Sequence, residues 1–151
     1  MAHFTLLVGS TLGSAEDLAD DLALLLQKYG HQEVIHTSPQ LDHILIKPQH
    51  YLLLICSTHG AGDLPDNIEP FYQQLLEQQP DLSGVKYLAI GLGDSAYDIF
   101  CGAIKTLAKQ LDKLGATAIC DPLTIDVSLE DPPEVIASQW LDPWLKKRVD
   151  P

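Results

Sequence analysis

At 151 residues, 46% hydrophobic and 20% charged, the chain has the size and composition expected of one globular domain, 1–151, that buries a core. Nine Lys and Arg against twenty-one Asp and Glu leave a net charge of −12, which argues against nucleic acid or an anionic membrane as partner and suits docking onto a basic one. No apolar run nears the roughly 18 residues of a membrane span, no leader pattern opens the chain, and the three cysteines form no CxxC, so a cytoplasmic protein with reduced thiols and no metal is expected.

In chain order, Phe4–Val8 reads as a first buried strand. A polar loop, Gly9 to Ala15, leads into a helix over Ser14–Tyr29. Its apolar stripe is Ala15, Leu18, Ala19, Leu22, Leu25, Leu26 and Tyr29, and Gly30 supplies the stop. Glu33–His36 is a second strand, Pro39–Lys47 a short or irregular helix, and Tyr51–Cys56 a third strand. After a Gly-rich loop, Ile68, Phe71, Tyr72, Leu75 and Leu76 repeat the helical spacing. Val85–Ile90 is the fourth strand, followed by a second Gly-rich loop and a helix carrying Ile104, Leu107, Ala108, Leu111 and Leu114, closed by Gly115. Thr117–Ile125 reads as one fifth strand. The last helix follows Pro133 with Ile136, Trp140, Trp144 and Leu145, and Pro143 is expected to kink or restart it, with Asp142 as cap.

Strands alternating with helices imply right-handed βαβ units and an α/β fold, a three-layer sandwich around a parallel sheet. Five strands in a domain of this size fit the order 2-1-3-4-5, whose switch point lies between strands 1 and 3. Function is therefore expected in the loops after strands 1, 3 and 4.

The first loop, Gly9-Ser10-Thr11-Leu12-Gly13-Ser14-Ala15, puts hydroxyls and free N–H groups before the positive end of a helix dipole, a site for phosphate. It lacks the lysine of GxxxxGK[ST] and is not GxGxxG. No acid ends strand 2 to hold a ribose, which argues against a dinucleotide. An ordinary capped turn would read the same way. The second loop, Ser57 to Asn67, contains Gly60 and Gly62, which permit close backbone approach to a flat ligand. The third, Gly91 to Gly102, sets Tyr97 and Phe100 in a Gly-rich frame. Of the two, Tyr97 reads as the ligand contact and Phe100 as packing.

Taken together these loops resemble those of the flavodoxin family. The first is similar to the flavodoxin phosphate loop, and "STHGAGDLPDN" and "GLGDSAYDIFC" resemble the loops of flavodoxin domains in diflavin reductases. The likeness runs along essentially the whole chain and is strongest to the short, stand-alone MioC type. It implies one flavin mononucleotide (FMN). Ser10, Thr11, Leu12, Gly13, Ser14 and Ala15 would hold its phosphate. Thr58, His59, Gly60, Ala61, Gly62 and Asp63 would line one side of the isoalloxazine. Leu92, Gly93, Asp94, Tyr97, Asp98, Phe100 and Cys101 would form the other, with Tyr97 stacked on the ring. Asp126 would stand near the flavin edge.

The implied function is electron carriage, without catalytic residues of the chain's own. The implied donor is a basic-faced flavoprotein reductase, and the acceptor a redox enzyme of the biotin synthase type. Each carboxylate about 10 Å from the flavin would cost an added electron about 0.8 kcal/mol at an effective dielectric of about 40. The alternatives are an FMN-dependent NAD(P)H or quinone reductase and a non-redox module of the same fold. A hydrolase built on Gly93-Asp94-Ser95 fails for want of a base, because all six histidines lie at or before His59.

Overall fold

The structure, a computed structural model, describes residues 2–10, 13–44, 46–58, 62–94, 101–129 and 131–149, with residues 147–149 described by their backbone alone. Strand β1 (His3–Gly9) lies between β2 (Gln32–His36) and β3 (His50–Ser57). β4 (Lys86–Gly93) follows β3. Both β5 (Thr117–Ala118) and β6 (Leu123–Asp126) pair with β4, every ladder being parallel. The order is β2-β1-β3-β4-β5, as the strand–helix alternation predicts.

The fifth strand is broken where the sequence suggests a single run. Two residues separate Tyr87 from Ile90 on β4, yet four separate their partners Ala118 and Leu123. The two extra residues leave the ladder around Pro122, which has no N–H to donate.

Alternation along the strands divides the core between the two faces of the sheet. Leu7, Leu52, Leu54, Cys56, Tyr87 and Ala89 face one way, against Phe71 and Leu75 of α2 (Glu69–Gln78) and Ile104, Leu107 and Leu111 of α3 (Gly102–Lys113). Phe4, Leu6, Val8, Leu53, Ile55, Leu88 and Ile90 face the other way. They meet Leu18, Leu22 and Leu26 of α1 (Ser14–Lys28) and Ala137, Leu141 and Leu145 of α4 (Pro133–Val149). The three layers follow from this division: a central strand with apolar side chains on both sides must be covered twice.

The helix stops are those the glycines predict. After α1, Gly30 adopts φ 81 and the His31 N–H reaches back to Leu26 O at 3.0 Å. After α3, Gly115 adopts φ 104 and Ala116 N–H bonds Leu111 O at 3.0 Å. The weak segment after β2 forms only a 3-10 turn, Leu41–His43.

One expectation needs correcting. α4 does not restart at Pro143 but continues across it as one helix, and Asp142 is no cap. Its carboxylate accepts a hydrogen bond from the hydroxyl of Tyr29, the residue that ends α1, and forms an ion pair with Lys146 at 3.1 Å. The proline forfeits one backbone bond, while Leu141 and Leu145, fully buried on either side of it, hold the helix against the sheet.

Candidate functional site

β1 and β3 lie side by side, but the helices that follow them cover opposite faces of the sheet. The carboxyl ends of these strands therefore open a crevice between diverging connections. β1 delivers Ser10, and α1 opens at Gly13 with φ 87, a left-handed geometry with open space where a Cβ would stand. The Gly13 N–H donates to Ser10 Oγ at 2.9 Å, and Gly13 O accepts from Asp17 N–H at 2.9 Å. No side chain caps α1. Its first-turn N–H groups lie outside the helical ladder and point, with the positive end of the dipole, to the space before Ser14.

Asn67, just before α2, holds this loop in place. Its Oδ1 accepts the Ser10 N–H at 2.9 Å, and its Nδ2 donates to Val8 O at 2.8 Å and to Thr37 O at 2.9 Å. One side chain thus joins the ends of β1 and β2 and the loop before α1. Sequence reasoning gave it no role, since an asparagine before a helix ordinarily caps that helix. Here Ile68 occupies the cap position.

The other two loops are tied to the same frame. The Ser14 and Ser57 hydroxyls lie 3.3 Å apart, joining α1 to the end of β3. Thr58 N–H donates to Leu92 O at 3.0 Å, and Thr58 Oγ1 accepts the Ala103 N–H at 3.2 Å, which caps the start of α3. At the end of β4 the backbone is crowded from behind. A Cβ on Gly91 would stand 2.3 Å from Ile104 Cγ2, and one on Gly93 2.8 Å from Cys101 Sγ. These glycines let α3 approach β4, so Leu92, Gly93 and Asp94 end the strand at the crevice.

Cys101 is wholly buried. Its thiol points toward Gly91 O at 3.6 Å and is pushed up to about 11, chiefly by burial. Cys56, on the neighbouring strand, is pushed up to about 12 for the same reason. Both are neutral thiols at physiological pH. Asp126 closes β6 opposite Gly93 and accepts bonds from Ser128 N–H at 3.0 Å and Ser128 Oγ at 2.6 Å. Asp63 is exposed on the other side of the crevice, after Gly62 with φ 99.

Of the residues singled out from the sequence, the structure therefore gathers Ser10, Gly13, Ser14, Ala15, Thr58, Gly62, Asp63, Leu92, Gly93, Asp94 and Cys101 at one end of the sheet, on its strand ends, loops and helix starts. Thr11, Leu12, His59, Gly60, Ala61, Tyr97, Asp98 and Phe100 lie outside the described residues.

Residues 6–140 match the model of the family described as Flavodoxin. The chain belongs to the flavodoxin family. It is 46% identical over 146 residues to Protein MioC of Escherichia coli K12, covering 96% of this chain and 97% of that one. It superposes on a flavodoxin from Pseudomonas aeruginosa, a cysteine-to-alanine variant, with TM-score 0.85 and 32% identity, covering 95% of this chain and 97% of that one. It is also 32% identical over 143 residues to the sulfite reductase [NADPH] flavoprotein alpha-component of Bacillus subtilis, spanning 94% of this chain but only 23% of that protein.

Flavodoxins are electron carriers whose cofactor is FMN, and this chain is of that type. The residues present fit the group. A phosphate suits an uncapped helix start faced by Ser10 and Ser14, and a flat ring suits the glycine-bearing strand ends behind it. Among the described residues no helix is long and apolar enough to cross a membrane and no cluster of metal ligands occurs.

Proposed function

We propose that residues 1–151 form one FMN domain that works in the cytoplasm as an electron carrier without a substrate of its own, between a basic-faced flavoprotein reductase and an acceptor redox enzyme of the biotin synthase class. The observation that carries the site assignment is the Ser10–Gly13–Asn67 arrangement before the uncapped start of α1. The bound flavin supplies reversible one-electron chemistry, and everything else falls to the chain. Ser10 and Ser14 hydroxyls and the first-turn N–H groups of α1 hold the phosphate. Thr58, Gly62 and the Leu92–Asp94 strand end would shape the ring slot, and Thr11, Leu12, His59, Gly60, Ala61, Tyr97, Asp98 and Phe100 would complete the lining. Tyr97 would stack on the ring and keep water from it. Asp63, Asp94 and Asp126 bring negative charge to the slot, which resists addition of an electron and lowers the potential.

The partner class follows from charge and from kinship. A net charge of −12 attracts a basic face, and a segment like this chain forms part of a sulfite reductase flavoprotein. The test is stopped-flow reduction by a flavoprotein reductase over a range of salt. The rate constant is expected to fall several-fold between about 50 and 500 mM salt, as the Debye length shrinks. A rate indifferent to salt contradicts charge-guided docking, and direct oxidation of NAD(P)H by the protein alone contradicts the carrier role.

A further inference from the structure

The end of β2 carries a pair of histidines that the flavin site does not itself use. His36, the last residue of β2, stacks on His43 of the 3-10 turn with ring centroids 3.6 Å apart and planes 9° from parallel. His43 Nδ1 accepts the Gln40 N–H at 3.0 Å, so this nitrogen carries no proton. The turn is fastened to α2 from the other side. Gln74 Oε1 accepts the Leu41 N–H at 2.7 Å, and Gln74 Nε2 donates to Gln40 Oε1 at 2.7 Å. Between the two histidines lies Thr37, whose carbonyl is one of the three backbone groups held by Asn67, together with Val8 O and Ser10 N–H.

We propose that His36 and His43 are proton-sensitive positioning residues: their neutral stack holds the β2 end against Asn67, and its protonation loosens the Ser10 anchor and weakens FMN phosphate binding. This rests on the FMN reading of the site. A proton on His43 Nδ1 would set a donor against the Gln40 N–H, and a second on His36 would put two cations face to face. Asp42, in the turn, is the carboxylate that acts on His36 and favours its charged form. Gln74 and Gln78 beside it on α2 are neutral. Partial burial and the neighbouring His43 outweigh Asp42 and hold His36 below the ordinary histidine value of 6.5. Because the folded value of His36 lies below the unfolded one, its neutral form is kept above pH about 6.5 and is lost as pH falls through that lower folded value.

The experiment compares the wild type with the double variant His36→Phe and His43→Asn. Phenylalanine keeps an aromatic face, and the asparagine oxygen takes the place of Nδ1 as acceptor for Gln40. FMN affinity is titrated from pH 7.5 to 5.5. The phosphate's own protonation, with a pKa near about 6, weakens both proteins. The wild type is expected to lose at least five-fold more affinity than the double variant, and equal losses would overturn the proposal. A second readout needs no flavin. In the FMN-free protein the Ser10 amide resonance is expected to move with the midpoint of the His36 and His43 ring protons, and to stay still in the double variant. A Ser10 amide indifferent to pH, or one that moves alike in both proteins, also overturns it. If the double variant does not fold, the wild-type resonances decide alone. If Ser10 follows the histidines but FMN binds at no pH, the flavin reading fails and the clamp stands.

Discussion

At the amino ends of β1 and β3 the side chains are large and interlocked, whereas at the carboxyl ends of the same strands they are small, hydroxylated or absent. Phe4, Tyr51 and Trp144 pack with ring centroids 5.1–5.9 Å apart, and His31 sets its edge on Phe4 at 5.3 Å. The open cavity of about 220 Å³ at this end is lined by Lys47, His50, Tyr51 and Lys86, with no carboxylate among its lining residues. At the other end stand Ser10, Gly13, Ser57, Thr58 and Gly93, joined by single hydrogen bonds through Asn67 and Thr58. The fold thus separates its tasks along one strand length. Apolar mass at one end stabilises the sheet, and the other end is left permissive enough to admit a ligand.

The comparison is broken most forcefully at Phe4. Phe4→Ala is expected to cost about 3–5 kcal/mol in urea unfolding, while FMN affinity of the protein that remains folded stays within about two-fold. Loss of flavin binding from folded protein would show that the two ends are coupled. Asn67→Ala acts at the other end. It leaves the Ser10 N–H and the Val8 and Thr37 carbonyls to find new partners, an expected cost of about 1–3 kcal/mol, with FMN affinity falling about ten-fold in a fluorescence titration.

A matched pair sharpens the contrast further. Gly13 and Gly30 stand at opposite ends of α1, with φ 87 and φ 81, and open space lies around each added Cβ. Alanine at either is expected to cost about 1–2 kcal/mol from left-handed strain alone. Only Gly13→Ala should weaken FMN, by several-fold, because only Gly13 shapes the loop before the helix. Equal effects on FMN would remove Gly13 from the site.

The smallest effect concerns His31. It is buried, its Nδ1 accepts the Ala2 N–H at 2.9 Å, and its Nε2 has no partner among the described residues. Desolvation is the largest cause that lowers its pKa below 6.5. The folded form therefore binds a proton less readily than the unfolded chain. Its contribution to stability is full above pH about 6.5 and is lost below it, with a slope of at most about 1.4 kcal/mol per pH unit. Midpoints of unfolding for His31→Asn should lack that part of the slope.

Much of this arrangement is legible in the sequence, for a physical reason. Strands buried on both faces must be continuously apolar, and helices on a sheet must carry a stripe, so Tyr51–Cys56 and Leu18–Leu22–Leu26 announce themselves. Gly30 and Gly115 are legible because a left-handed residue ends a helix at little cost only when it is glycine. The break in the fifth strand is not: Pro122 interrupts pairing only once Ala118 and Leu123 have both found β4. Pro143 misleads in the opposite sense, since tertiary packing of Leu141 and Leu145 overrides a local helix breaker. In the site, the loop positions can be read from glycine and hydroxyl content, but Asn67 and the His36–His43 pair cannot. Their partners lie 59, 30 and 57 residues away for Asn67, and the stack depends on where an irregular turn folds back.

The central claim is that the permissive end of the sheet holds FMN by its phosphate, at the Ser10–Gly13 loop. The most direct test is to titrate the flavin-free protein with FMN and with riboflavin, which differ only in that phosphate, and to follow the quenching of flavin fluorescence. The account predicts that FMN binds at least ten-fold more tightly than riboflavin and that Asn67→Ala removes most of the difference. Equal affinity for the two flavins would contradict it.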